Sequence, residues 1–435
     1  MEKMRTLYLI LLLSIWCACK KKDNGQQVPV SGVQSVVIAS VSPSLGDAGI
    51  ITITGSGFGN DIASVLVRIG DNAATVRSVT PVQVVAEIPN TLSAGLHDVT
   101  ITVGQRSATR SNSFEFIAWE VSTFAGTGIQ GTDNGAGNLA SFANPVSIMS
   151  DQQGSLYVCD VHRIRRIDQQ GVVSNFAGSG IAGLADGSTN VARFRFPIAT
   201  TVDGMGNIYV SDQGNHCIRK IDLNGIVTTV AGDGTMGYVN GDASTARFNQ
   251  PCGIAINKDG TELFVADLGN HRVRKVNLWS STVSDVAGNG TTVSTDGTGG
   301  NAGIPSPAGI CLLENGDIFV TEKLGNKIRR ITPGGETTTW ITNLGEGAQP
   351  TCITADDEGN LYVVCKGLNR IKRIFNGQAT AVDLLGQPLS GNTDGPLSQA
   401  RFKLPEGVAV ADIPGQMRRF YVADNGNFKI RRVQQ

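Results

Sequence analysis

An all-β fold is predicted for this 435-residue chain by three observations. Residues 121 to 435 hold six near-copies of one unit. Each unit is built from short β-branched or aromatic runs set apart by Gly and Asn turn signals, as in IATTVD, IYVSD, CIRKI and IVTTVAG between Ile198 and Gly232. The ends of this array are complementary: the last copy stops at Arg431-Arg432-Val433 without its fourth run, and a lone matching run, Val121 to Gly126, precedes the first copy. Residues 35 to 117 carry seven or so short runs at sandwich spacing. The expected architecture is an immunoglobulin-like β-sandwich followed by a six-bladed propeller, closed by the strand at the propeller's own N-terminus so that no mismatched edge is left.

The chain opens with MEKMRTLYLILLLSIWCAC, a basic start and an apolar run too short to span a bilayer, which reads as a signal peptide. Its end, Ala18-Cys19 followed by Lys20-Lys21-Lys22-Asp23, resembles a bacterial lipoprotein processing site with Cys19 as the lipidated residue; Cys17 is disfavoured because bulky Trp16 would precede it. A Cys before a Lys/Asp cluster resembles surface lipoproteins of Bacteroidetes-type bacteria. The resemblance implies a lipid-anchored protein on the outward face of the outer membrane, and an outer-membrane import complex as a partner. Residues 20–34 form a polar tether. Removing residues 1–18 leaves 34 basic and 36 acidic side chains, a near-neutral balance that argues against a nucleic-acid partner.

Residues 35–117 resemble an IPT/TIG immunoglobulin-like domain through Ser42-Pro43-Ser44, Gly49, Gly55-Ser56-Gly57-Phe58-Gly59, Pro89 and Phe114. Phe58 reads as core, and the glycines as positions of tight turns or positive φ. A spacer or interaction role is expected of this module.

Within residues 121–435, aligning the second run gives Tyr157, Tyr209, Phe264, Phe319, Tyr362 and Tyr421, at steps of 52, 55, 55, 43 and 59 residues. The units resemble the NHL repeat. Its fingerprint is clear in Asp212-Gln213-Gly214-Asn215-His216-Cys217-Ile218-Arg219 and Asp267-Leu268-Gly269-Asn270-His271-Arg272-Val273-Arg274. It decays in copy one (Asp160-Val161-His162-Arg163), copy four (Lys327 after its Asn), copy five (Cys365-Lys366-Gly367-Leu368-Asn369) and copy six (Phe428 in place of His). The resemblance implies the propeller fold; the family's functions are too varied to carry over.

A Pro opens each unit: Pro145, Pro197, Pro251, Pro307, Pro350 and Pro405. The strands that follow should line the central channel, placing Val146, Ile198, Cys252, Ala308, Thr351 and Glu406 near one mouth. Six-bladed propeller lyases, lactonases and esterases set His or carboxylate metal ligands around this axis, whereas here only Glu406 is charged, so no metal or other cofactor is expected. His162, His216 and His271 fall in the tight turn after the second strand and read as turn residues. Asp160, Asp212, Asp267 and Asp424 read as acceptors for backbone N–H groups there. The Ile-Arg-Lys-Ile pattern of strand three, from Arg165 to Arg432, reads as stems covering blade faces with charges kept in water.

Long linkers join five of the six units, sharing an Asn-Gly or Asp-Gly turn and then Ala-x-Phe, as in Ala192-Arg193-Phe194, Ala246-Arg247-Phe248 and Ala400-Arg401-Phe402. The Phe is an anchor for the loop. The Arg is open between pairing with a blade carboxylate and facing a ligand. Cys352 and Cys365 would lie opposite one another if Ala355 paired with Tyr362, a geometry that admits a cross-strand disulfide.

Three functions fit these features: a non-catalytic surface module binding a poly- or oligosaccharide, a protein-interaction or adhesion module, and a propeller enzyme with a loop-built site. The first is favoured, since the channel mouth lacks catalytic groups, and the partner is then a glycan, the second choice being a surface or secreted protein. The loops after strands two and four share one face, so the ligand site is placed on Tyr238, Lys323, Lys366 and Glu406, with Gln213, Asn425, Arg193, Arg247 and Arg401 around them. Tyr238 would stack on a sugar ring, and the two Lys would favour an acidic glycan.

Overall fold

A computed structural model describes residues 35–46, 49–89, 91–411 and 418–434. The signal peptide, Cys19 and the tether lie outside them.

The first module is a sandwich of two sheets. One consists of strands Val37–Ser42, Ile50–Ser56, Gln83–Glu87 and Val76–Thr80 in that order; the other is built on Val65–Ile69, Gly95–Val103 and Arg106–Phe116. Phe58 is fully buried in its core, as expected, and so is Phe114. Gly55 is required by close approach: a Cβ there would lie 1.8 Å from the Val37 carbonyl.

The second module is the propeller. Six antiparallel sheets each run from an inner strand through two middle strands to an outer one, as in Pro197–Val202, Ile208–Asp212, Cys217–Ile221 and Ile226–Ala231 of blade two. Each inner strand packs on the next right round the ring, Gly407–Ala411 of blade six closing on Pro145–Ser150 of blade one. The closing strand is where the sequence put it: Glu120–Ala125 lies antiparallel beside Lys429–Gln434, with Val121 opposite Val433 and Thr123 opposite Arg431. Apolar cores fill the seams between neighbouring blades, so no blade buries its own face alone.

The linkers depart from the expectation of plain loops. Instead of rising to the channel mouth, they travel outward and add a two-residue fifth strand beside the outer strand. Gly187–Ser188 pairs with Ile226 and Val227, and Gly241–Asp242, Gly297–Thr298 and Gly395–Pro396 do the same in blades three, four and six. The anchoring Phe residues do pack as expected: Phe142, Phe194, Phe248 and Phe402 are fully buried.

The strand-three arginines need correction. Arg165, Arg219, Arg274, Arg329 and Arg431 are fully buried, not spread into water. In blade two Arg219 Nη1 donates to Asp212 Oδ2 (3.0 Å) and to the Arg193 carbonyl (2.9 Å), and Nη2 to Asp186 Oδ1 (2.7 Å) and the Ala185 carbonyl (2.8 Å). The Phe194 ring lies 5.1 Å away. The same clamp ties Arg274 to Asp267, Asn240 and Phe248, and Arg431 to Asp424, Asp394 and Phe402. Each joins strand two, strand three and the linker that covers the outer edge. The turn aspartates therefore do two things. Asp212 Oδ1 accepts the Arg195 N–H at 2.8 Å, as the sequence suggested, while Oδ2 holds the buried cation.

The histidines reach further than their own turns. His216 Nδ1 accepts the N–H of Gln250 (3.1 Å) and His271 Nδ1 that of Ser306 (3.0 Å), each from the residue before the next blade's Pro, which requires the tautomer protonated on Nε2. In copies four and five, Asn326 and Asn369 accept the N–H groups of Gln349 and Leu404 in the same way. The donating residues sit at positive φ, 54° for Gln250 and 48° for Leu404, a strained backbone pinned by the neighbouring blade.

Cys352 and Cys365 are not bonded. A bulge after Pro350 sets Cys352 opposite Val364 and Cys365 opposite Pro350, one residue away from the register a disulfide needs. Cys352 lines the channel and Cys365 packs in the core between blades four and five.

Candidate functional site

The inner strands of the six blades line the central channel. Counting from the Pro, the second residues form one mouth of a cavity of about 410 Å³: Val146, Ile198, Cys252, Ala308, Thr351 and Glu406 all line it, as the sequence predicted. The turns after the second strands stand above this ring and add Gln213, Leu268 and Lys323. The turn at Lys366–Leu368 brings Lys366 to the same level, where its ammonium forms an ion pair with Glu406 across the seam between blades five and six. Thr351 Oγ1 donates to the Glu406 carbonyl at 2.8 Å and fixes that strand end.

Lys323, Lys366, Glu406 and Gln213 are thus brought together, and the expected pair of free lysines is reduced to one. Lys366 is neutralised by Glu406, which the sequence could not show because the two residues lie on different blades. The Lys323 ammonium has no ion pair among the described residues. The mouth carries one net positive charge.

The remaining expected site residues do not join it. Tyr238 lies on a linker at the outer rim: its hydroxyl donates to Asp285, and its ring stacks on the Arg272 guanidinium at 4.3 Å. The linker runs outward with its fifth strand, which carries Tyr238 away from the axis. Arg193, Arg247 and Arg401 are exposed on the same linkers, and their backbone carbonyls accept from the buried arginines. The open question about their side chains is answered for Arg247, which pairs with the linker's own Asp233 at 2.7 Å. Asn425 sits in the blade-six turn but uses its amide on Asn144 Oδ1 (2.8 Å) and the Pro145 carbonyl (3.2 Å), reinforcing the ring closure.

A catalytic divalent metal on the axis does not fit these side chains. The mouth ring presents one carboxylate, already paired with Lys366, and no group of three His, Cys, Asp or Glu converges among the described residues. The cysteines near the axis are not poised nucleophiles. Burial pushes the Cys252 thiol up to about 12 and the Cys352 thiol up to about 11. In the folded protein at pH 8, both should therefore react with iodoacetamide on the order of a hundredfold more slowly than in the urea-unfolded chain. Equal rates, followed by mass on the two peptides, would show that the thiols are open and activated.

Residues 36–117 match the IPT/TIG domain, and residues 129–367 match the SMP-30/gluconolactonase/LRE-like region. The chain is 26% identical over 288 residues to the Arabidopsis thaliana chloroplastic protein SUPPRESSOR OF QUENCHING 1, covering 60% of this chain and 27% of that one. It is 32% identical over 178 residues to the Bos taurus NHL repeat-containing protein 2, covering 37% of this chain and 24% of that protein. The chain thus spans about a quarter of the length of these relatives. Among solved structures, a Bacteroides thetaiotaomicron protein of unknown function superposes with a TM-score of 0.56 at 18% identity, covering 92% of this chain and 98% of that one, a likeness of fold. With an IPT/TIG domain in front of NHL-type blades and more than half of its length inside the second match, the chain belongs to the SMP-30/gluconolactonase/LRE-like family of propellers.

Proposed function

We propose that the protein is a non-catalytic binding protein of the outer bacterial surface, anchored through Cys19, that receives the anionic group of a ligand at the channel mouth. One observation carries this reading. Among the described residues, Lys323 is the cation that lines the central cavity, and it presents its ammonium there without an ion-pair partner. Gln213 and the Lys366–Glu406 pair supply further donors and an acceptor around it. The binding of an acidic oligosaccharide through its charged end belongs to this reading. Stacking of a sugar ring on Tyr238 does not, because that ring is already taken by Arg272.

Calorimetric titration with acidic and neutral oligosaccharides and with simple organic anions tests the proposal. Anions are expected to bind, more weakly at high salt, and Lys323→Ala should weaken them at least tenfold with no change in melting temperature. Neutral ligands binding equally well, or anion binding indifferent to Lys323→Ala, would overturn it.

A further inference from the structure

The turn that carries Lys323 is built differently from its counterparts. In blades two, three, five and six the turn after the second strand is a single 3-10 turn, and its Gly N–H donates to the carbonyl two residues before the next Pro-led strand of its own blade begins. These bonds run from Gly214 to Arg195 (2.8 Å), Gly269 to Asn249 (2.8 Å), Gly367 to Ala348 (3.0 Å) and Gly426 to Lys403 (2.8 Å). Three of these turns are also tied down by an Asn side chain. Asn215 Nδ2 donates to Asp212 Oδ2 and to the Gly183 carbonyl, both at 2.7 Å, and Asn270 and Asn427 repeat the pair of bonds. Blade four has Gly325 at this position, so the tie is missing, and Leu324 stands where the donating Gly would be.

What holds the blade-four turn is reached from the neighbouring blade. The Lys323 N–H donates to the Ser306 carbonyl at 3.2 Å. Ser306, the buried residue before Pro307, sits at a φ of 47°, and its own N–H donates to His271 Nδ1 of blade three at 3.0 Å. Such a backbone persists only where its surroundings hold it. At the other seams the pin ends one residue past the carbonyl that carries the turn: His162 and His216 hold Phe196 and Gln250, whereas the turns of blades two and three hang on Arg195 and Asn249. Among the described residues, only the His271 pin runs on into a mouth turn, and that turn bears Lys323.

We propose that His271 is a positioning residue for the anion site: by fixing Ser306 it fixes the backbone from which Lys323 reaches into the cavity. This rests on the anion-binding reading of the mouth and deepens it, since blade three then governs how well blade four binds. The long Lys323 side chain has no ion pair to order it, so its aim depends on its backbone. A loosened turn leaves the anion to bear the cost of ordering it.

The other copies supply the substitutions. His271→Asn keeps an acceptor, as Asn326 and Asn369 do, and His271→Phe removes it while keeping a side chain that blade six carries in the same left-handed conformation, Phe428 at a φ of 54°. Digalacturonate and, as a simple anion, acetate are titrated calorimetrically into the purified protein and its variants, with melting temperatures recorded for each. His271→Phe should weaken binding about three- to tenfold, while His271→Asn and the control His162→Phe, which breaks a pin that holds no mouth turn, stay within about twofold of the parent. Hydrogen exchange of the peptide containing Lys323 should quicken in His271→Phe and not in His162→Phe. His271→Leu is the second acceptor-free variant, read in place of His271→Phe if that chain does not fold. Equal losses in the His162 and His271 variants would make the pins general supports of the ring and overturn the inference. So would a His271→Asn as weak as His271→Phe, or unchanged affinity in His271→Phe while Lys323→Ala still weakens binding; the anion site itself would stand. Binding indifferent to Lys323→Ala, or no binding of either anion, would overturn that site and this inference with it.

Discussion

A chain that begins at Ser141 is expected to lose the cooperative fold of the propeller, whereas one that begins at Trp119 should keep it. The first lacks Glu120–Ala125, leaving Lys429–Gln434 as an open edge and removing about five ladder hydrogen bonds worth roughly 1 kcal/mol net each. It also loses the N–H and Oγ1 hydrogen bonds from Thr123 to Asp394 Oδ2 (3.0 and 2.9 Å), and with them one support of the blade-six clamp. Trp119 on Phe420 and buried Val121 go too, at about 1.5–3 kcal/mol for each large apolar side chain. Arg165 of blade one meanwhile forfeits Asn134 and the Asp133 carbonyl. These losses together equal or exceed the total stability of an ordinary domain, about 5–15 kcal/mol. Thermal melting and resistance to chymotrypsin read the outcome, and two chains melting within a few degrees of each other would mean that the ring does not depend on its borrowed strand.

The ring was legible because it rests on local signals repeated six times. The Pro that opens each unit marks the start of the inner strand, and the likeness of Val121–Gly126 to Val173–Gly178 and Val227–Gly232 identifies the missing strand. The buried arginines were not legible by the same route. A strand reading Ile-Arg-Lys-Ile looks like an exposed edge until its partners are known, and those stand seven residues away (Asp212 for Arg219) and about thirty away on the linker (Asp186). The sequence nevertheless contains the signal. Copy five has Cys365 for the Asp, Lys372 for the Arg and a linker too short for the Asp-Gly turn and Ala-x-Phe. The parts vanish together, as members of one network do, and Lys372 turns to Asp383 on the outer strand instead.

For the site, the mouth ring followed from the position after each Pro, but how its charges pair did not. Lys366 and Glu406 are 40 residues apart and meet only because consecutive blades bring a turn and a strand start together. Tyr238 was misplaced for a related reason: a linker starting on the mouth face need not stay there, and pairing of Gly241–Asp242 with Thr282 and Val283 carries it to the rim.

The clamp of blade three gives the second large effect, and the effect is asymmetric. Asp267→Ala takes from Arg274, fully buried, its buried anion and leaves only the partly exposed Asp285, 3.5 Å from its Nε. A guanidinium cannot shed its proton to escape the cost, so a loss of about 3–5 kcal/mol is expected. Arg274→Met, by contrast, keeps the volume between Phe248 and Tyr238 and leaves behind a carboxyl that can be neutralised. Burial already pushes Asp267 up to about 6, outweighing the hydrogen bonds from Asn270 and the Asn249 N–H and the attraction of Arg274. Arg274→Met should therefore cost clearly less than Asp267→Ala. The pH dependence follows from the same shift. With the folded value above the unfolded one of about 3.9, the folded chain takes up this proton first as the pH falls, so Asp267 favours folding progressively more from pH 6 down to pH 4. Measured against Asp267→Asn, which cannot titrate, the unaltered protein should gain stability across that window. Urea midpoints for the three variants at pH 7, and for Asp267→Asn and the parent at pH 4.5, decide the matter. An Asp267→Ala effect within the roughly 0.5 kcal/mol of a surface change would mean that water reaches Arg274. A parent that weakened against Asp267→Asn on acidification would mean that the guanidinium holds the carboxylate ionised despite its burial.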